Sequence, residues 1–161
     1  MLPTVLGLAT LVGGAAVLVP RVTATVADPV DTSRPFSSFV TITNTGFIPL
    51  DKVGVTLGVH NIIVQSGLML RGVDGAEFPT RMHFDNIAYH DLGLDDRFAF
   101  ALNEMWGASE RDKLIGTDTV ADLAIIVEYD IPIIHWRREK IFPLILRRQT
   151  NGNFYWYATE K

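Results

Sequence analysis

Val53-Gly54-Val55-Thr56-Leu57-Gly58-Val59 places an aliphatic side chain at every odd position and glycine or threonine at every even one. Successive side chains of a strand point to opposite faces, so this stretch predicts a strand with one apolar buried face and one small or polar face. Just upstream, Phe39-Val40-Thr41-Ile42-Thr43-Asn44 is β-branched and runs into Asn44-Thr45-Gly46, a turn signal. Further out, Val22–Val26 alternates apolar and small polar residues, and Asp28-Pro29 through Arg34-Pro35 is rich in turn formers. Leu123–Tyr129 is apolar enough for a central strand. Lys140–Arg148 and Phe154–Thr159 flank Asn151-Gly152, the strongest short hairpin signal. On the second arm Phe154 and Trp156 share one face, and Tyr155 and Tyr157 the other.

The middle of the chain is less regular. Residues 60–96 are rich in Gly and Asp, with a short strand expected near Arg81–Phe84. Arg97–Leu102 reads as a strand, and Asn103–Leu114 as a loop or short helix. Seven or eight strands with turns between them and no long helix predict a mainly β domain, an antiparallel β-sandwich, with a small barrel as the alternative.

The stretch Pro35-Phe36-Ser37-Ser38-Phe39-Val40-Thr41-Ile42-Thr43-Asn44-Thr45-Gly46, followed by Ile48-Pro49-Leu50-Asp51-Lys52-Val53, resembles immunoglobulin-like adhesion modules of the CARDB kind. Those modules carry an F-x-V-x-N-x-G strand and turn, followed by a V-x-V strand. The resemblance covers about 20 residues and implies an immunoglobulin-like fold; it says nothing of function. Physically, Phe39 and the alternating Val and Ile are expected to enter a core, and Gly46 to supply φ > 0 in the reversal. The antibody-type Cys…Trp…Cys core is absent, because the chain has no cysteine. The whole chain also resembles small bacterial membrane-anchored proteins in which an anchor precedes one such domain.

The 161 residues suit one domain with an appendage. Absent cysteine excludes disulfides, Cys-ligated zinc and a thiol nucleophile. The mean hydropathy of +0.21 is high for a soluble domain, and much of it lies at the start. Leu2 to Pro20 contains no charged residue. At about 1.5 Å per residue, 19 residues reach roughly 28 Å, close to a hydrocarbon core. The stretch lacks the basic start of a signal peptide and is apolar all round, unlike an amphipathic core helix. It therefore predicts a single-pass transmembrane anchor over residues 1–21, crossing the bilayer through residues 2–20, with the sandwich over 22–161. Gly7, Ala9, Gly13 and Gly14 give the anchor a small-residue face for close helix–helix contact with another membrane protein. Orientation is open. Arg21 and Arg34 favour a cytoplasmic domain by the positive-inside rule, whereas anchored sandwiches are commonly exported, which favours a periplasmic or extracytoplasmic one.

The formal charge of −4 conceals a split. Residues 131–161 hold six Lys/Arg against two Asp/Glu, a net of +4, and residues 1–130 carry −8. Within Ile131–Phe142, an apolar run reaches His135-Trp136 and then a basic pair, so Ile133, Ile134, Trp136, Arg137 and Arg138 are candidate partner-binding residues. Three roles compete for them: closing the sandwich, membrane contact through an interfacial tryptophan, and docking on a protein. Nucleic acid is not an expected partner: Tyr155, Tyr157, Arg147 and Arg148 resemble a stacking platform, but the chain is acidic overall.

Asp74 to Asp96 is the other polar constellation, with Asp85, His90, Asp91 and Asp95 as candidate metal ligands. It matches no EF-hand loop, and the spacing of His83 and His90 suits neither HExxH nor a zinc finger. The segment reads first as a solvated acidic loop. No G-x-S-x-G, P-loop or dinucleotide fingerprint is present. No cofactor is expected, and the chain is expected to be non-enzymatic: a membrane-anchored interaction domain, an accessory or structural subunit of a larger membrane complex. The alternative is a ligand- or metal-binding extracytoplasmic domain using residues 74–96.

Overall fold

A computed structural model describes residues 19–63, 69–71, 80–82, 88–105, 120–132 and 134–159. These form ten strands: β1 (Val22–Val26), β2 (Phe39–Asn44), β3 (Leu50–Ile63), β4 (Met69–Arg71), β5 (Thr80–Met82), β6 (His90–Leu92), β7 (Arg97–Ala101), β8 (Val120–Ile131), β9 (Trp136–Arg148) and β10 (Phe154–Ala158). One antiparallel sheet has the order β1-β2-β7. The second runs β10-β9-β8-β3-β4, with β5 and β6 also paired to β3. The domain is mainly β and consists of two antiparallel sheets, as the alternating pattern predicts. Among the described residues no helix is long and apolar enough to cross a membrane. The expected anchor, including Gly7, Ala9, Gly13 and Gly14, falls almost wholly on residues 1–18, outside the described residues.

A single core joins the sheets. Val22, Val40, Ile42 and Phe100 from the first sheet cluster with Val53, Val55, Leu57, Val59, Leu123, Ile125 and Val127 from the second. The register explains the alternation: Val55 pairs Val127, Leu57 pairs Ile125 and Val59 pairs Leu123, so the odd positions of both strands share the inner face. Each fully buried aliphatic here contributes about 1.5–3 kcal/mol relative to exposure. The other face of β3 is buried too, contrary to a simple in–out reading: Gly54, Thr56 and Gly58 are covered, as are Ala124 and Ile126 opposite them. At Gly54 the cover is the ring of Tyr89, whose Cε1 would lie 2.5 Å from any added Cβ.

Gly46 differs from expectation, while Gly152 turns the hairpin that its sequence signals. Gly46 does not adopt positive φ. It is required because the backbone nitrogen of Arg21 would lie 2.7 Å from a Cβ there, where Thr45 N–H donates to the Arg21 carbonyl. Gly152 does adopt positive φ, +86°. It follows a turn with Thr150 and Asn151 at its corners, closed by Gly152 N–H to Gln149 O. The Asn-Gly signal thus marks a hairpin whose loop has three residues and a glycine bulge.

The sheets are also pinned by polar contacts. Trp156 Nε1–H donates to the Pro35 carbonyl at 2.8 Å, and its ring meets Phe36 edge-on at 5.5 Å. The Lys140 ammonium donates to the Val22 carbonyl at 3.0 Å, tying β9 to the start of β1.

Candidate functional site

The registers bring four segments to one end of the domain. Val22 pairs Asn44, and Thr43 pairs Arg97, so residues 19–21, 45–49 and 93–96 cap the first sheet together. Asp51 pairs Asp130, so the tip of the β8–β9 hairpin caps the second sheet at the same end. The last pair of that hairpin is Ile131 with Trp136, and His135 in its loop holds φ of +47°.

This end displays large apolar side chains. Val19 is 51% exposed, Phe47 64%, Leu94 53%, Ile134 57% and Trp136 51%. Ile134 and Trp136 were legible as tip residues in the sequence, while Ile133 lies outside the described residues. Val19, Phe47 and Leu94 were missed as surface residues. The available signal was a bulky apolar residue inside a turn, in Gly46-Phe47 and Gly93-Leu94-Asp95.

The basic pair divides. Adjacent strand residues face opposite ways, so Arg138 stacks over the Trp136 ring at 3.6 Å on the inner face. Arg137 turns to the outer face and donates to Glu128 at 2.6 Å. Glu128 also accepts from Arg81 at 3.2 Å, and Arg81 bonds both Glu139 oxygens at 3.0 and 3.1 Å. Hydrogen bonds to Glu128 and Tyr89 hold the Arg137 guanidinium more firmly protonated than usual. Arg137 is therefore part of a framework network, and Arg138 is the cation that accompanies the exposed tryptophan.

The acidic segment is built into the turns. Asp91 accepts the Lys52 N–H at 2.9 Å, at a residue with φ of 49°. Asp96 accepts the Gly93 N–H at 2.9 Å. Asp95 occupies φ of 60°, and its N–H donates to the Asn44 carbonyl. The His90 ring stacks on Phe98 at 4.2 Å. Among the described residues no group of three His, Asp or Glu side chains is placed to hold a metal ion; Asp85 lies outside them.

The remaining basic and aromatic residues separate by face. Arg147, Tyr155 and Tyr157 lie together on β9 and β10, and Arg148 pairs across from Phe154 on the other side. No protein-family model, curated protein or solved structure matches this chain.

Proposed function

We propose that this chain is a membrane-anchored, non-enzymatic interaction domain of immunoglobulin-like type, serving as an accessory or structural subunit of a larger membrane protein complex. One observation carries the proposal. The end by which the chain enters the sandwich, at Val19, is the end that displays Phe47, Leu94, Ile134 and Trp136 to solvent. Val19, Phe47, Leu94, Ile134 and Trp136 are five of the ten large apolar residues exposed among the described residues, and such a concentration at one end marks a contact surface. The uncharged run from Leu2 to Pro20 leads into that same end and has the length of a bilayer span.

Two further features support contact rather than chemistry. Asp91, Asp96 and Glu128 are committed to hydrogen bonds that hold turns and strands. The anchor sequence carries Gly7, Ala9, Gly13 and Gly14, a small-residue pattern suited to close packing against a partner helix. Anchored sandwich domains are commonly exported, and this analogy supports an extracytoplasmic position for the domain.

Purification of the full chain in mild detergent after in-membrane crosslinking tests the proposal. The expected result is a co-purifying membrane protein in fixed ratio, lost on Gly13→Ile. Recovery as a free monomer under all conditions overturns it.

A further inference from the structure

We infer that the occupant of the apolar end is the lipid headgroup layer of the bilayer that holds the anchor, with Trp136 and Ile134 as the inserted residues. This rests on the anchoring proposed above and names what the exposed tip touches.

The argument is one of height. The Lys140 ammonium is bonded to the Val22 carbonyl, which holds β9 and β1 within the reach of one lysine side chain. From Lys140 to Trp136 the strand advances four residues, about 13 Å. From Val22 back to Val19 the chain covers three residues, at most about 10 Å. The hairpin tip and the point where the uncharged segment begins therefore leave the same end of the domain by distances of the same order. A bilayer crossed by the proposed anchor would meet this end of the domain, within reach of Trp136 and Ile134.

The side chains suit that layer. Tryptophan with an apolar neighbour and a nearby cation is the composition enriched at membrane–water interfaces. The Arg138 guanidinium carbon lies 3.6 Å from the Trp136 ring centroid, and Arg138 stands two residues farther from the hairpin tip, an order that suits a cation at phosphate level beside an inserted indole. Charge does not drive the docking. Asp91, Asp95 and Asp96 stand at this end with Arg21 and Arg97, so contact is expected on neutral lipid as well as on anionic lipid.

The absence of cysteine makes the test direct. Ile134→Cys and, in the opposite hairpin, Asn151→Cys are each labelled with a nitrobenzoxadiazole probe in the full chain. Both are reconstituted into phosphatidylcholine vesicles. At Ile134 the probe is expected to be reduced by external dithionite several-fold more slowly than at Asn151, and to be quenched by nitroxide lipid. It should behave alike when phosphatidylserine is added. Equal dithionite rates at the two sites with no lipid quenching overturn the inference. Shielding of the Ile134 probe without lipid quenching also overturns it, because a protein surface then covers the tip. Alkaline washing of the same vesicles separates the two claims. Release of the chain defeats the anchoring itself; retention with a water-exposed Ile134 probe defeats only the docking of the tip. Trp136→Phe supplies a second readout: it should abolish a component of tryptophan quenching by brominated lipid that the unsubstituted chain shows.

Discussion

The side-chain amide of Asn44 donates to the carbonyl of Leu92 at 3.2 Å, across 48 residues of chain. The same nitrogen reaches the carbonyls of Ile48 and Gly93 at 2.8 and 2.9 Å, and its oxygen accepts the Gly46 N–H at 3.0 Å. Asn44 is wholly buried at the end of β2. It fastens the β2–β3 turn and the β6–β7 turn into one platform, from which Phe47 and Leu94 project.

Asn44→Ala should lower stability by about 3 kcal/mol, since it strands buried carbonyls as well as removing bonds. Asn44→Asp should cost more, because a carboxylate cannot donate to three carbonyl oxygens. Guanidinium unfolding of the full chain in detergent, followed by circular dichroism, checks the order. Equal stability of all three proteins would remove Asn44 from this role.

Gly46 and Gly152 should respond differently to the same changes. Gly46→Ala meets the Arg21 nitrogen and should cost about 1–3 kcal/mol, with Gly46→Asn worse. A Cβ at Gly152 would meet only an ordinary contact, the Arg148 guanidinium at 3.8 Å, but φ is +86°, so Gly152→Ala should cost about 1 kcal/mol. Gly152→Asn should recover part of that loss, because asparagine tolerates the left-handed region. Thermal unfolding of the four variants distinguishes a steric demand from a conformational one.

Glu128 is the hub of the outer-face network, its side chain only 14% exposed between Arg81 and Arg137. Glu128→Gln should destabilise by about 1 kcal/mol, a figure reduced by the exposure of both arginines. Glu139→Gln, at a more open carboxylate, should cost less. The difference should shrink at high salt as the exposed charges are screened.

Tyr129 gives the alkaline limit. Burial raises its pKa from the ordinary 10.0, with Arg138 opposing. Above pH 10 the unfolded chain loses this proton before the folded one does, so stability falls as pH rises through that range. Tyr129→Phe should flatten the decline of melting temperature above pH 10. An unchanged slope would show that other groups govern it.

The strands were legible where alternation was strict. Val22–Val26 and Phe39–Asn44 are strands as read, except that Phe39 is 46% exposed while Val40 and Ile42 take the core face, and Leu123–Tyr129 is the centre of a longer strand. Period-two patterning is local, and one buried face is enough to fix it. The second burial layer over Gly54 was not legible, because Tyr89 comes from a segment with no pattern of its own. Nor was the purpose of Gly46, which depends on where Arg21 passes. The candidate site was half visible. Ile134 and Trp136 stood out as an apolar run ending in an aromatic, but Phe47 and Leu94 lacked the neighbours that give them meaning.

By itself, the sequence determined that the chain folds as antiparallel strands around an alternating core, that an uncharged run precedes them, and that positive charge gathers near the C-terminus. Each follows from composition or short-range period, which residues carry without knowing their partners. Only the tertiary structure decided that Arg137 and Arg138 serve opposite faces, one bound to Glu128 and the other to Trp136. It alone brought Val19, Phe47, Leu94 and the hairpin tip to one end. That convergence depends on which strand pairs with which and in what register, and register links positions tens of residues apart that no local pattern connects.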